Sequence, residues 1–493
     1  MAPPDSDSAE QWKPAHNPWL IAGTVMLATF MEVLDTSIAN VALPHIAGNL
    51  SATTDEATWV LTSYLVANAI ILPATSWLGG LFGRKRFLIT CILLFTVASA
   101  LCGMAQSLGF LVLARVIQGA GGGALQPISQ AILLESFPPQ KRGVAMAAFA
   151  MGVVVAPILG PTLGGWITDS YSWRWIFFIN LPIGALAMVL TNQCVEDPPY
   201  LKRIGLENID YPGLGFLAIW LATLQYVLDR GQEVDWFSSS SIVWCTIISA
   251  AAFIAFIIRE LTTDDPIVDL CVLKNRNFAV GSGMILLLGG LLYGTIAVLP
   301  LFMQNLLGYT ALDAGIAMSP RGIGAFVGTI IVGRIVGKIQ NRILIGVGFL
   351  LLSYSSFMLG DLNLVVAMRN IVIPSILNGF AISLIFVPLT TSTMGTLDRA
   401  QMGNATGIFN LMRNLGGSAG ISLITTFVSR VSQANQALLA PHMSKLNPIF
   451  QQRLAEIQAG LAPKGWDRGR DETGAADFVS NAFGAGVADQ LCP

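Results

Sequence analysis

The sequence predicts an all-α polytopic membrane protein. Two observations carry this. Of 493 residues, 54% are hydrophobic and only 11% are charged, whereas a soluble domain carries about 25% charge to cover its surface. The apolar residues also fall into thirteen separate runs, each near the roughly 20 residues a helix needs to cross a bilayer core. The alternating polarity of a membrane barrel is absent. The runs lie at 19–40, 57–78, 87–105, 109–134, 143–168, 174–191, 211–228, 241–258, 278–302, 313–338, 342–359, 368–393 and 405–427.

Residues 1–18 are polar and contain Pro3, Pro4, Pro14 and Pro18. The first run is long, carries acids and has no cleavage site behind it, so it reads as a retained span and not a signal peptide. Span 1 holds Glu32 and Asp35, three residues apart and so on one helix face. An ionised group inside a membrane is costly and marks function by default. Burial and a like-charged neighbour both favour the neutral carboxylic acid. Asp35 and Glu32 therefore read as proton-coupling candidates; the alternative is static pairing near a wet helix end.

Span 2 leads into the basic loop Gly83, Arg84, Lys85, Arg86. Span 4 contains Arg115, then Gln118 and a glycine-rich run from Gly119 to Gly123. The guanidinium needs an acid or carbonyls, and span 1 is the natural partner. A static buried ion pair is the competing reading. The glycine run lies inside a span, so it reads as helix packing and not as a nucleotide loop.

Span 5 combines Gly152, Pro157, Gly160, Pro161, Gly164 and Gly165. Small residues at four-residue spacing let helices approach closely, and prolines kink a helix by removing backbone donors. Such a helix suits a seam between moving halves. Arg321, after Pro320 in span 10, and Arg413 in span 13 are further candidates for charge in the second half. The basic loop after span 10, with Gly337, Lys338 and Arg342, faintly repeats the one after span 2 if spans 7 and 8 are an insertion. After span 13, Ser444 to Leu461 has the spacing of an amphipathic helix. From Lys464 the chain is charged and Gly-rich and reads as disordered.

Lys and Arg placement sets the orientation. With a cytoplasmic N-terminus, the inner segments hold fourteen: Lys13, Arg84, Lys85, Arg86, Lys141, Arg142, Lys202, Arg203, Arg259, Lys274, Arg276, Lys338, Arg342 and Arg399. The outer loops hold three: Arg174, Arg230 and Arg369. A net charge of −2 implies no nucleic-acid partner. Six scattered cysteines and three histidines support neither disulfides nor a metal site. No nucleotide-binding loop, HExxH or GxSxG motif occurs. The chain is thus expected to be neither an enzyme nor cofactor-dependent.

Taken in order, these motifs resemble the major facilitator superfamily, and within it the 14-span drug:proton antiporters of the EmrB/QacA type. The resemblance runs from about residue 20 to 430. It includes Leu34 to Pro44, Arg115 to Gly119, Gly152 to Gly165, Leu228 to Gly231, Asp265 to Leu270, Pro320 to Gly322 and Arg413 to Gly417. Phe177 to Gly184 and the long segment after span 13 look most EmrB-like. The resemblance implies two six-helix bundles with alternating access and two inserted spans. The expected divisions are residues 1–18, 19–195, 196–275, 276–427 and 428–493. It implies proton-driven export of hydrophobic or amphipathic compounds across a bacterial inner membrane. A periplasmic adaptor of the EmrA/HlyD type and an outer-membrane channel are its implied partners, beside the bilayer. By the same resemblance Asp35 is the proton carrier, Arg115 its regulator, Gly83 to Arg86 a cytoplasmic gating loop, and the span 5 glycines the bundle seam.

Two departures stand out. The acid such a family carries three residues before Gly83 is Gly80 here. A fourteenth span is missing, which points to a frameshift or truncation after about residue 463. An exporter of one specific metabolite, or a non-functional shortened product, are the alternatives to multidrug export.

Overall fold

The computed structural model describes residues 14–197, 210–263, 266–363, 366–398 and 401–439. The tail readings at Ser444–Leu461 and beyond Lys464 lie outside the described residues. Twelve described helices are long and apolar enough to cross a membrane. Helix α1 (Pro18–Asn49) starts where Asn17 accepts a hydrogen bond from the Trp19 N–H, with Pro18 in the first turn. There follow α2 (Trp59–Phe82), α3 (Arg84–Gly103), α4 (Leu108–Ser136), α5 (Arg142–Ser170) and α6 (Trp175–Cys194). Then come α7 (Tyr211–Arg230), capped by Asp210, and α8 (Ser240–Thr262). Next is α9 (Arg276–Asn305), capped by the Asn275 side chain. It is followed by α10 (Asp313–Ile335), α11 (Asn341–Gly360) and α12 (Met368–Met394).

The thirteenth helix, α13 (Met402–Leu439), spans 38 residues and continues past the run expected to close at 427. It buries the polar side chains of Asn404, Asn410 and Arg413.

The contacts define two bundles and a hairpin. In the first, α1 packs on α5 and α6, α2 on α4, and α3 on α4 and α6. In the second, α9 packs on α13 and α12, α10 on α12, and α11 on α12. The pairs α1–α5, α2–α4 and α3–α4 thus recur as α9–α13, α10–α12 and α11–α12, which is the repeat hinted at by the two basic loops. Glycines set the closest of these contacts: Gly290 of α9 and Gly416 and Gly420 of α13 sit backbone to backbone. Helices α7 and α8 pack on each other, and α7 lies against both α2 and α13.

The bundles meet along α2–α13, α4–α13, α5–α10 and α5–α12. At the end carrying the basic loops, Gly403 faces Ser76 and the Arg84 guanidinium, and Gly407 faces the Leu72 carbonyl. There too, Gly143 faces Val336 and Gly333 faces Ala147.

Candidate functional site

Asp35 sits at the junction of three helices. Its side chain is 1% exposed and that of Arg115 is 0% exposed. Arg115 Nη1 donates to Asp35 Oδ2 at 2.7 Å. Gln118 Nε2 donates to Asp35 Oδ1 at 3.0 Å, and Asn180 Nδ2 to the same oxygen at 2.7 Å. The carboxylate therefore ties α1 to α4 and α6. Arg115 is itself oriented: Nε donates to the Val60 carbonyl at 3.0 Å and Nη1 to Gln118 Oε1 at 2.8 Å. The guanidinium carbon lies 4.2 Å from the Tyr64 ring centroid, a cation–π arrangement. Removing either charge would leave the other buried alone, which costs about 3–5 kcal/mol.

The expected pairing of Arg115 with span 1 is what the structure contains. Gln118 and Asn180 were not singled out from the sequence. The available signal was weak: Gln118 lies one turn from Arg115, and Asn180 is a lone amide in an apolar run.

Glu32 does not share the Asp35 cluster. It points to a second buried polar group. Its carboxylate accepts from Tyr64 Oη at 3.2 Å, Asn68 Nδ2 at 3.2 Å and Gln126 Nε2 at 2.6 Å. Gln126 in turn accepts from Arg413 Nη2 of α13. Beside it, Asn410 Nδ2 donates to Gln130 Oε1 at 2.7 Å. The chain Glu32–Gln126–Arg413 thus crosses from one bundle to the other. Arg321 is buried at 3% exposure in α10, has no partner at Nη2 among the described residues and joins neither cluster.

The glycine face of α5 packs on α1. A side chain at Gly160 would meet Ser37, and one at Gly164 would stand 3.1 Å from Ile38 Cγ2. Gly152 has only Met26 nearby, at 3.8 Å, and Gly165 has nothing within 4 Å. Ser37 Oγ donates to the Pro157 carbonyl at 2.9 Å, an acceptor that Pro161, having no N–H, cannot use. The Pro161 side chain lies outside the described residues. So Gly160 and Gly164 clamp α5 to the helix that carries Asp35, while the start of α5 meets the other bundle through Gly143 against Val336, just past α10, and Ala147 against Gly333 of α10.

A sequence profile of the Major Facilitator Superfamily matches residues 25–421. The chain belongs to the major facilitator superfamily. Among characterised members it is similar to the multidrug export protein EmrB of Haemophilus influenzae, with 40% identity over 90% of this chain and 88% of that one. It is similar to EmrB of Escherichia coli at 40% over 91% and 88%. It is also similar to the fatty acid resistance protein FarB of Neisseria gonorrhoeae, at 39% over 88% and 86%. The human organic anion transporter MFSD10 has the same fold, with a TM-score of 0.60 at 16% identity, covering 83% of this chain and 94% of that one. The chain is therefore an EmrB-like, multi-pass member of the superfamily.

In this superfamily member the loop after α2 is braced without an acid at Gly80. Gly83 adopts φ +84°, a conformation a side chain disfavours. Arg84 forms a buried ion pair with Glu135 at the end of α4. Asp197, from beyond α6, accepts the Lys85 N–H at 2.8 Å, and Lys85 Nζ donates to the Asn192 carbonyl at 2.6 Å. Arg86 is exposed. The carboxylates thus come from Glu135 and Asp197, distant in sequence, and only folding places them here.

Proposed function

We propose that this chain is a proton-driven efflux transporter of hydrophobic or amphipathic compounds in a bacterial inner membrane. The Asp35–Arg115 pair carries the reading: an ion pair with 1% and 0% side-chain exposure, inside a span, at the junction of three helices. Ionised Asp35 takes hydrogen bonds from Arg115, Gln118 and Asn180, and holds α1 against α4 and α6. A proton on the carboxylate removes its charge and weakens all three bonds, since charge-assisted hydrogen bonds are roughly twice as strong as neutral ones. Arg115 then keeps the Val60 carbonyl, Gln118 and the Tyr64 ring. α1 loses its charged tie to Arg115 of α4, keeps the Glu32–Gln126 bond to the same helix, and stays clamped to α5, whose first turns touch the second bundle. Protonation is thereby converted into relative movement of the bundles, with the proton gradient as the energy source and no cofactor.

The basic loops support a cytoplasmic N-terminus. The 40% identity to two multidrug export proteins supports drug export. The EmrB resemblance also argues for a periplasmic adaptor of the EmrA/HlyD type and an outer-membrane channel.

The test is Asp35→Asn in energised cells expressing the full chain with an EmrA-type adaptor, followed by ethidium efflux with and without an uncoupler. Uncoupler-sensitive efflux in the parent and its loss in the membrane-inserted variant is the expected result. Efflux by Asp35→Asn that still responds to pH would move the proton role to another residue.

A further inference from the structure

At the end of the molecule opposite the basic loops, the turn after α7 and the last third of α13 form an open cavity of about 380 Å³. That is within the roughly 300–1,000 Å³ of small-molecule sites. Gln232, Asp235 and Trp236 of the turn line it, with Arg430, Gln433 and Ala434 of α13. The wall carries both signs of charge. Asp235 and Arg430 make no ion pair and no side-chain hydrogen bond among the described residues.

The turn is held in a costly shape. Asp235 and Trp236 both have left-handed backbone, φ +55° and +53°, which a bulky residue such as Trp236 adopts only when its neighbours impose it. The Trp236 N–H donates to the Gly231 carbonyl at 2.7 Å, and the indole Nε1 donates to Thr426 Oγ1 of α13 at 3.1 Å. Gly231 admits the ring, because a Cβ there would stand 2.7 Å from it. The turn is therefore pinned to α13 one helical turn before Arg430.

Depth decides what surrounds the cavity. α13 starts at Met402, and Gly403 already faces the Arg84 guanidinium of the basic loop. Arg430 follows Met402 by 28 residues, about 42 Å along the axis at 1.5 Å per residue. A bilayer with its head groups is about 40–45 Å thick, so Arg430 stands in the opposite head-group layer. Exposed Phe237 and Trp244, beside the turn, are the aromatic residues of such an interface. Leu423, Phe427 and Arg430 share one face of α13, and the first two are 69% and 70% exposed. This face is apolar where acyl chains run and polar where head groups lie.

We propose that the cavity binds the head group of a phospholipid bearing a primary ammonium, the chemistry of phosphatidylethanolamine. Arg430, with Gln433, holds the phosphate, whose oxygens match the guanidinium fork. Asp235, with the Gln232 carbonyl, takes the ammonium, and an acyl chain lies along Phe427 and Leu423. Each half of the zwitterion answers one of the two unpaired charges. A choline head has no N–H to donate to Asp235, and a glycerol head brings no cation to it. Because Asp235 belongs to the inserted hairpin and Arg430 to the second bundle, the lipid joins the two. The site does not depend on the efflux reading.

The test is native mass spectrometry of the purified full chain in neutral detergent, supplied with equal amounts of phosphatidylethanolamine, phosphatidylcholine and phosphatidylglycerol of identical acyl chains. The parent is expected to retain the first about fivefold over either of the others, the upper range for a partly exposed charge pair. Arg430→Gln is expected to lower retention of phosphatidylethanolamine by about the same factor. Asp235→Asn is expected to keep phospholipid bound but to erase the preference among head groups. Both side chains are exposed, so both variants should melt with the parent. Equal retention of the three lipids by the parent would overturn the proposal, as would a preference that survives in either variant. Displacement of the lipid by an equal amount of chainless glycerophosphoethanolamine would also overturn it, by assigning the cavity to a soluble zwitterion.

Discussion

Replacing Gly160 with alanine tests whether the α5 glycines act by clamping the helix that bears Asp35. The added Cβ would stand 3.1 Å from the Ser37 carbonyl carbon and in collision with the Ser37 side chain. Carbon–carbon contact becomes favourable only near 3.5–4.0 Å. Ser37 cannot simply rotate away, because its hydroxyl is bonded to the Pro157 carbonyl at 2.9 Å. α1 and α5 must therefore separate by about 1 Å or more to restore contact distance, since the Ser37 Cβ is fixed to the backbone. Overpacking of this kind costs about 1–3 kcal/mol, and alanine's better helix propensity returns up to about 1 kcal/mol.

Gly165→Ala is the matched control. It lies on the same helix, but its Cβ would meet nothing within 4 Å, so only the propensity gain of about 1 kcal/mol applies. Thermal melts of the two detergent-solubilised variants at one scan rate should place Gly160→Ala below the parent and Gly165→Ala at or above it. Transport should follow the same order, because Asp35 is two residues from Ser37 on the same helix and its contact with Arg115 is disturbed when that helix shifts. Equal melting of the two variants, or a fully active Gly160→Ala, would refute the clamp.

Two further outcomes are expected. Arg84→Leu should destabilise strongly, since it strands the buried Glu135 charge at a cost of about 3–5 kcal/mol, and Glu135→Leu should destabilise by breaking the same pair. The double variant should be less destabilised than the sum of the two, and additive melting shifts would show that the pair is not coupled. Asn180→Ala removes one of three donors from Asp35 and also the donor to Ser99 Oγ at 3.0 Å; Ser99 keeps its bond to the Phe177 carbonyl. It should shift the pH profile of efflux without abolishing it; an unchanged profile would make Asn180 a packing residue only.

That the chain is a series of membrane helices, and roughly where each one lies, was legible in the sequence, because a bilayer imposes one length and one polarity on every span. The Arg115–span 1 pairing was also legible: a lone guanidinium and two acids in apolar runs leave few ways to avoid unpaired buried charge. The sequence did not separate the roles of Glu32 and Asp35. Three residues on a helix place them on one face, yet Asp35 meets Arg115 and Asn180 while Glu32 reaches Gln126 and, through it, Arg413. Which neighbours an acid meets depends on how α4 and α6 cross α1, and that is settled by packing of distant segments.

The same reason hid the partners of the basic loop. Gly80 leaves the local acid position empty, and Glu135 and Asp197 lie 51 and 112 residues from the groups they bond. It also hid the function of α5's glycines, whose spacing signals close approach but does not name the helix approached. Composition and periodicity determined that this chain is a bundle of membrane helices with charge inside it. Only the tertiary structure decided which charges meet, because that is fixed by helix crossings and not by spacing along any one helix.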